Sequence, residues 1–88
     1  MDTKTLTIIA TETCARCKML AGRLTREGIP FTYALPDTHP DDHAASKALG
    51  YNEAPVTLIR DAEGTVLDHW ASLNRDKLNT WAPTLQAA

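Results

Sequence analysis

The period of apolar positions changes several times along this chain, and each change marks an element. Residues 5–10 read Thr5-Leu6-Thr7-Ile8-Ile9-Ala10. They alternate and then turn wholly apolar and β-branched, which predicts a buried central strand. From Cys14 or Ala15 to Glu27 the period becomes helical. Cys17, Leu20, Ala21 and Leu24 fall at i, i+3, i+4 and i+7 and would share a core-facing stripe, while Arg16, Lys18, Arg23 and Arg26 fall mostly elsewhere. Gly28 suits the C′ position, and Pro30 forbids continuation. Residues 31–35 predict a second strand with Phe31, Tyr33 and Leu35 on one side.

Pro40 fits the first position of a second helix, where Asp41 and Asp42 complement the positive end of the helix dipole. That helix runs through Ala44, Ala45, Ala48 and Leu49, and Gly50 stops it. A loop over 51–54 leads to Pro55. Residues 56–59 predict a third strand, 61–64 a turn with Gly64, and 65–69 a fourth strand, so that the last two form a hairpin. Asn74 is placed to cap a final short helix through Trp81, with Leu73, Leu78 and Trp81 turned inward. Pro83 is expected to end it, leaving 82–88 as a frayed tail. The order is β-α-β-α-β-β-α, with no repeat or linker. Two strands flanking a helix pair in parallel through a right-handed crossover. With the antiparallel hairpin they make a four-stranded mixed sheet with helices on both faces.

Length and charge narrow the possibilities. Eighty-eight residues make a single domain, 1–88, with its core at about 4–81. Such a chain buries about 60–65 % of its unfolded surface. A net charge of −2 offers no basic surface for nucleic acid or an anionic membrane. The first apolar run is too short for a signal peptide or a membrane span, so a cytoplasmic protein is expected.

The only two cysteines, Cys14 and Cys17, would close too small a loop to stabilise much as a staple. In a reducing cytosol such a pair is redox-active or metal-binding. It follows a strand and opens a helix, where unpaired N–H groups and the dipole favour a thiolate, the reacting form of the sulfur. Arg16 between the cysteines either favours it further or meets an acidic partner, with a plain solvated arginine the equal alternative, and Glu12 acts in the opposite sense. His39 and His43 would complete a zinc-finger-like ligand set. The stretch between the pairs, residues 18–38, is longer than the about 12–15 of that pattern, and it holds a helix end and a strand. We therefore expect no metal site. His69 is assigned no role.

Four stretches together carry a resemblance: Cys14-Ala15-Arg16-Cys17, Lys47-Ala48-Leu49-Gly50-Tyr51, Ala54-Pro55-Val56 and Asp68-His69-Trp70. Their order and spacing resemble the thioredoxin fold in its small glutaredoxin-like form, and within it the NrdH-redoxin family, over about residues 4–81. The resemblance implies an α/β fold of glutaredoxin type. It also implies an electron donor to class Ib ribonucleotide reductase, itself reduced by thioredoxin reductase, and a monomer is the default for so small a redox carrier. No cofactor beyond a Cys14–Cys17 disulfide is implied. Cys14 would be the nucleophile and Cys17 the resolving thiol. Ala54-Pro55 would be cis beside the cysteines, leaving the Ala54 backbone free for a substrate strand. The expected partner-contacting rim is Thr13, Ala15, Arg16, Ala54, Pro55 and Trp70, with packing over the sheet end an equal alternative for Trp70.

The chain departs from that family at the rim. Thr11 and Glu12 stand where the family has lysine and proline. After Trp70 the family typically has Ser-Gly-Phe-Arg-Pro-Asp, and this chain has Ala71-Ser72-Leu73-Asn74-Arg75-Asp76. Two alternatives stay open. One is a glutathione-dependent glutaredoxin, although Thr11, Glu53-Ala54-Pro55 and Ala71-Ser72 offer little to that tripeptide's carboxylates. The other is a redox-sensing binding module of the same fold.

Overall fold

In chain order the elements are β1 (Thr5–Ile9), α1 (Ala15–Arg26), β2 (Thr32–Ala34), α2 (Pro40–Ala48), β3 (Val56–Arg60), β4 (Val66–Ala71) and α3 (Arg75–Leu85). The structure is a computed structural model and describes residues 3–85. The strands lie in the order β2-β1-β3-β4. β1 pairs in parallel with β2 and antiparallel with β3, with Ile9 opposite Val56. β3 and β4 form the antiparallel hairpin. The α/β class, the element order and the mixed sheet are as expected from the pattern.

Alternation along β1 explains why the helices divide between two faces. Leu6 and Ile8 point to one side and pack with Cys17, Leu20 and Leu24 of α1, with Leu78 and Leu85 of α3, and with Ile59 and Trp70. Ile9 points to the other and packs with Ala34, Val56 and Leu58, against which Ala45 of α2 lies. Each such buried side chain stabilises the fold by roughly 1.5–3 kcal/mol relative to an exposed one. Polar contacts close the edges. Arg60 pairs with Asp42 at 2.9 Å and donates to Thr7 Oγ1 at 3.3 Å, fastening α2 to the sheet.

Several boundaries differ from the sequence expectation. β2 spans three residues rather than 31–35, because β1 offers it only Thr7 to Ile9 as partners. The Leu35 carbonyl accepts from His39 N–H at 2.9 Å and starts the turn into α2. β4 begins at Val66 and reaches Ala71, which Val56 pairs. The larger correction concerns α3. It passes through Pro83 and ends at Leu85, so residues 82–85 are helix rather than tail; 86–88 lie outside the described residues. Pro83 forfeits one helical hydrogen bond, at a cost of about 3 kcal/mol in a helix interior. Here it occupies the final turn, and Leu85, 4 % exposed, returns a comparable amount by burial. The inward stripe is therefore Leu78, Trp81 and Leu85. Leu73, expected inward, is 51 % exposed, because it precedes the helix and does not share its period.

α3 is tied to β4 through Asp68. Its Oδ1 accepts from Lys77 Nζ at 2.8 Å and from His69 N–H at 2.8 Å. Its Oδ2 accepts from Trp81 Nε1 at 2.9 Å. Burial alone raises the carboxyl's pKa, but these three donors and the Lys77 charge outweigh it and hold Asp68 below its ordinary 3.8. A carboxylate with a depressed folded pKa stabilises the fold above its unfolded value, and that contribution is lost as pH falls through the folded value.

Two outcomes are expected. Leu85→Ala lowers the free energy of unfolding in urea titrations by about 2–4 kcal/mol, where a frayed residue would give nothing measurable. Asp68→Asn gives a shallower loss of stability below about pH 4 than the unsubstituted protein, as measured by thermal unfolding across an acid series.

Candidate functional site

β1 ends at Ile9, and a short connection carries the chain over the edge of the sheet to the start of α1. Cys14 N–H closes this turn on the Thr11 carbonyl at 3.3 Å. Cys14 is the N-cap of α1, with φ −85° and ψ 102°, and its Sγ accepts from Cys17 N–H at 3.0 Å. A sulfur here takes the place that Ser, Thr or Asp usually fills in satisfying an orphan N–H. The first turn of α1 holds no acidic residue but does hold Arg16, so side-chain and backbone fields are both positive where Cys14 sits.

Cys14 and Cys17 are joined in a disulfide, with Cα atoms 5.2 Å apart. Their exposures differ. Cys17 is fully buried, on the same stripe as Leu20 and Leu24, whereas Cys14 is half-buried. Such a pair can interconvert between disulfide and dithiol with only the outer sulfur open to a partner.

The other predicted site residues separate into two groups. Thr13, Ala15 and Arg16 are exposed around Cys14. Ala54 packs against the same apolar cluster as Cys14, and the Ala54–Pro55 bond is cis. No described residue hydrogen-bonds the Ala54 backbone. Pro55 is buried, one position ahead of β3, and its carbonyl accepts from Ser72 N–H at 2.8 Å. Trp70 takes up the packing position that was the alternative to a rim role. It is 6 % exposed and a member of the core, with Lys77 Nζ 5.7 Å from its ring centre. The alternation of β4 turns its side chain toward the apolar cluster beneath α1 and α3.

The histidines are occupied elsewhere. His43 Nε2 lies 2.7 Å from the Ala34 carbonyl, His39 Nδ1 lies 2.8 Å from Thr38 Oγ1, and His69 Nδ1 lies 2.8 Å from Tyr51 Oη. Among the described residues, no three His, Cys, Asp or Glu side chains gather as metal ligands. No described helix is long and apolar enough to cross a membrane.

One feature was missed by sequence reasoning. A groove of about 250 Å³ lies between α1 and segment 72–75, lined by Arg16, Met19, Arg26, Leu73 and Arg75 and reaching Pro55. The helical spacing of Arg16, Met19, Arg23 and Arg26 was legible. The opposite wall was not, because it depends on where the turn at Ser72 throws Leu73. Ser72 has φ +60°, in the left-handed region that favours glycine, and it stands where the resembled family has Gly.

A β-α-β-α-β-β-α order, a β2-β1-β3-β4 sheet and a disulfide at the N-terminus of the first helix, beside a cis-proline, define a thioredoxin fold. Solved structures agree. The chain superposes on thioredoxin f2 of Chlamydomonas reinhardtii with a TM-score of 0.67 and 18 % identity, over 91 % of this chain and 76 % of that one. For the thioredoxin of Malassezia sympodialis the values are 0.69 and 14 %, over 97 % and 79 %. For the reduced C-terminal domain of Neisseria meningitidis DsbD they are 0.59 and 16 %, over 97 % and 83 %. No protein-family model and no curated protein matches the sequence.

At Ser72 a glycine removes the side-chain penalty of a positive φ, about 1–2 kcal/mol, against an entropic cost of roughly 0.5–1 kcal/mol. Ser72→Gly is therefore expected to leave the thermal midpoint unchanged or raise it by a few degrees. Ser72→Val is expected to lower it.

Proposed function

We propose that this protein is a dithiol electron donor that reduces protein disulfides, with Cys14 as nucleophile and Cys17 as resolving thiol. The observation that carries the reading is the asymmetry of the pair: Cys14 half-buried at the helix N-cap, Cys17 fully buried one turn deeper. In the reduced protein the Cys14 thiolate attacks one sulfur of a partner disulfide. A mixed disulfide forms and the partner's other sulfur leaves as thiolate. Cys17, as thiolate, then attacks Cys14 Sγ. The Cys14–Cys17 disulfide forms and the second partner sulfur leaves, so two electrons have passed to the partner. The Cys17 N–H that meets Cys14 Sγ at 3.0 Å supports the leaving and attacking thiolate alike.

Thr13, Ala15 and Arg16 supply the exposed rim. The free Ala54 backbone beside Pro55 supports pairing with an extended substrate segment. Among electron donors, the resemblance to NrdH-redoxins favours thioredoxin reductase as the source of electrons and class Ib ribonucleotide reductase as their acceptor. The poor provision for glutathione at Thr11, Glu53 and Ala71-Ser72 points the same way. We take the protein to act as a single-domain cytoplasmic monomer with no cofactor beyond its own disulfide.

The test is a pair of NADPH-oxidation assays on the oxidised protein, one with thioredoxin reductase and one with glutathione and glutathione reductase, each repeated with Cys14→Ser and Cys17→Ser. Rapid oxidation in the first assay alone is expected. Cys14→Ser abolishes it, and Cys17→Ser accumulates a mixed disulfide with a protein substrate. Rapid oxidation in the second assay alone would make this a glutathione-dependent redoxin. Activity in neither would favour a redox-sensing module. Normal turnover of Cys17→Ser on a dithiol-requiring substrate would overturn the assignment of the resolving thiol.

A further inference from the structure

The groove beside the disulfide has a composition unlike the rest of the molecule. The chain carries a net charge of −2, yet four of its five arginines, Arg16, Arg23, Arg26 and Arg75, line this groove, and among the described residues no acidic side chain does. Arg23 is neutralised by Glu27 at 2.7 Å. Arg16, Arg26 and Arg75 make no ion pair among the described residues. Between these charges lie two of the four large exposed apolar side chains among the described residues, Met19 at 73 % exposure on the α1 wall and Leu73 at 51 % on the other. On a surface without a partner, either exposure leaves apolar area in water at a cost.

The α1 wall is one helical stripe. Arg16, Met19, Arg23 and Arg26 recur at i, i+3, i+7 and i+10, so they stand in a row about 15 Å long. That length spans four or five residues of an extended peptide at about 3.3 Å each. The row begins inside the Cys14–Cys17 loop, at Arg16, and runs away from the cysteines. A segment lying in it is therefore beside the reacting sulfurs rather than over them. Leu73 and Arg75 repeat the same order of apolar group then cation on the facing wall.

We infer that this groove docks an acidic segment with an apolar centre, flanking the disulfide of the protein that the dithiol reduces. The segment's apolar side chain sits between Met19 and Leu73, and carboxylates on either side of it meet Arg16, Arg26 and Arg75. This deepens the electron-donor reading and rests on it, because it names the class of substrate that the same site selects. Charge of this kind acts on encounter and on choice of partner more than on the sulfur chemistry, and several exposed pairs acting together are needed for a sizeable effect.

The experiment uses the reduced full-length protein and three probes. Two are synthetic peptides with the same Cys-x-x-Cys disulfide, one followed by a Glu-Leu-Glu-Glu segment and the other by Lys-Leu-Lys-Lys. The third is dithiodipyridine, a small uncharged disulfide. Rates are compared for the unsubstituted protein and for the double variant Arg26→Glu, Arg75→Glu. The unsubstituted protein is expected to reduce the acidic peptide about tenfold faster than the basic one at low salt, with the advantage collapsing at about 0.5 M salt. In the double variant the preference is lost or reversed. Dithiodipyridine is expected to react at the same rate with both proteins.

Equal rates on the two peptides, or a preference that survives the double substitution, would overturn the docking inference and leave the electron-donor reading standing. Conversion of neither peptide to its dithiol by either protein would overturn the electron-donor reading itself.

Discussion

Everything in this structure hangs on the antiparallel ladder between β1 and β3. Both strands are buried on both faces, so register is strongly specified, since a one-residue slip would exchange the contents of the two cores. Setting Ile9 opposite Val56 brings the end of β1 level with the start of β3. The turn that leads to Cys14 then follows β1 at the same end of the sheet where Ala54-Pro55 leads into β3. Disulfide and cis-proline are neighbours because of a hydrogen-bond register, and that register is enforced by hydrophobic burial.

The site stands where an α/β sheet most readily makes one, outside the carboxyl end of a central strand and at the N-terminus of the following helix. The sheet contributes position and the helix contributes field. Cys14 caps the helix through its sulfur, Cys17 belongs to the core, and one turn of α1 makes the outer sulfur accessible and the inner one enclosed. The groove is a consequence of how the edge strand β4 leaves the same end of the sheet. β4 finishes at Ala71, the chain turns through Ser72 with a positive φ, and Leu73 is thrown outward to face α1 before Asn74 starts α3 by accepting Lys77 N–H at 3.1 Å.

The Asp68 cluster and Leu85 show how the last helix is held against that edge. Neither touches the disulfide. Both matter to it, because α3 covers Trp70 and the same apolar cluster against which Cys14 packs. Three donors from β4 and α3 converge on one carboxylate. A helix that continues past a proline to bury a leucine closes the far end of that core.

The sequence by itself determined the element order, the two-faced sheet and the placing of Cys14 and Cys17 at a helix start. These follow from local signals: a β-branched run, a period near 3.6, and Gly and Pro at element ends. It also suggested the burial of Cys17, since that residue lies on the same stripe as Leu20 and Leu24. Only the tertiary structure decided the rest. Pro83 reads locally as a stop, but burial of Leu85 against residues far away in sequence outweighs the lost hydrogen bond. Trp70 reads equally well as a rim or a core residue until the pleat of β4 assigns it a side. Leu73 reads as core until the backbone at Ser72 turns it out. The groove required two walls distant in the chain, and no periodicity within either one announces the other.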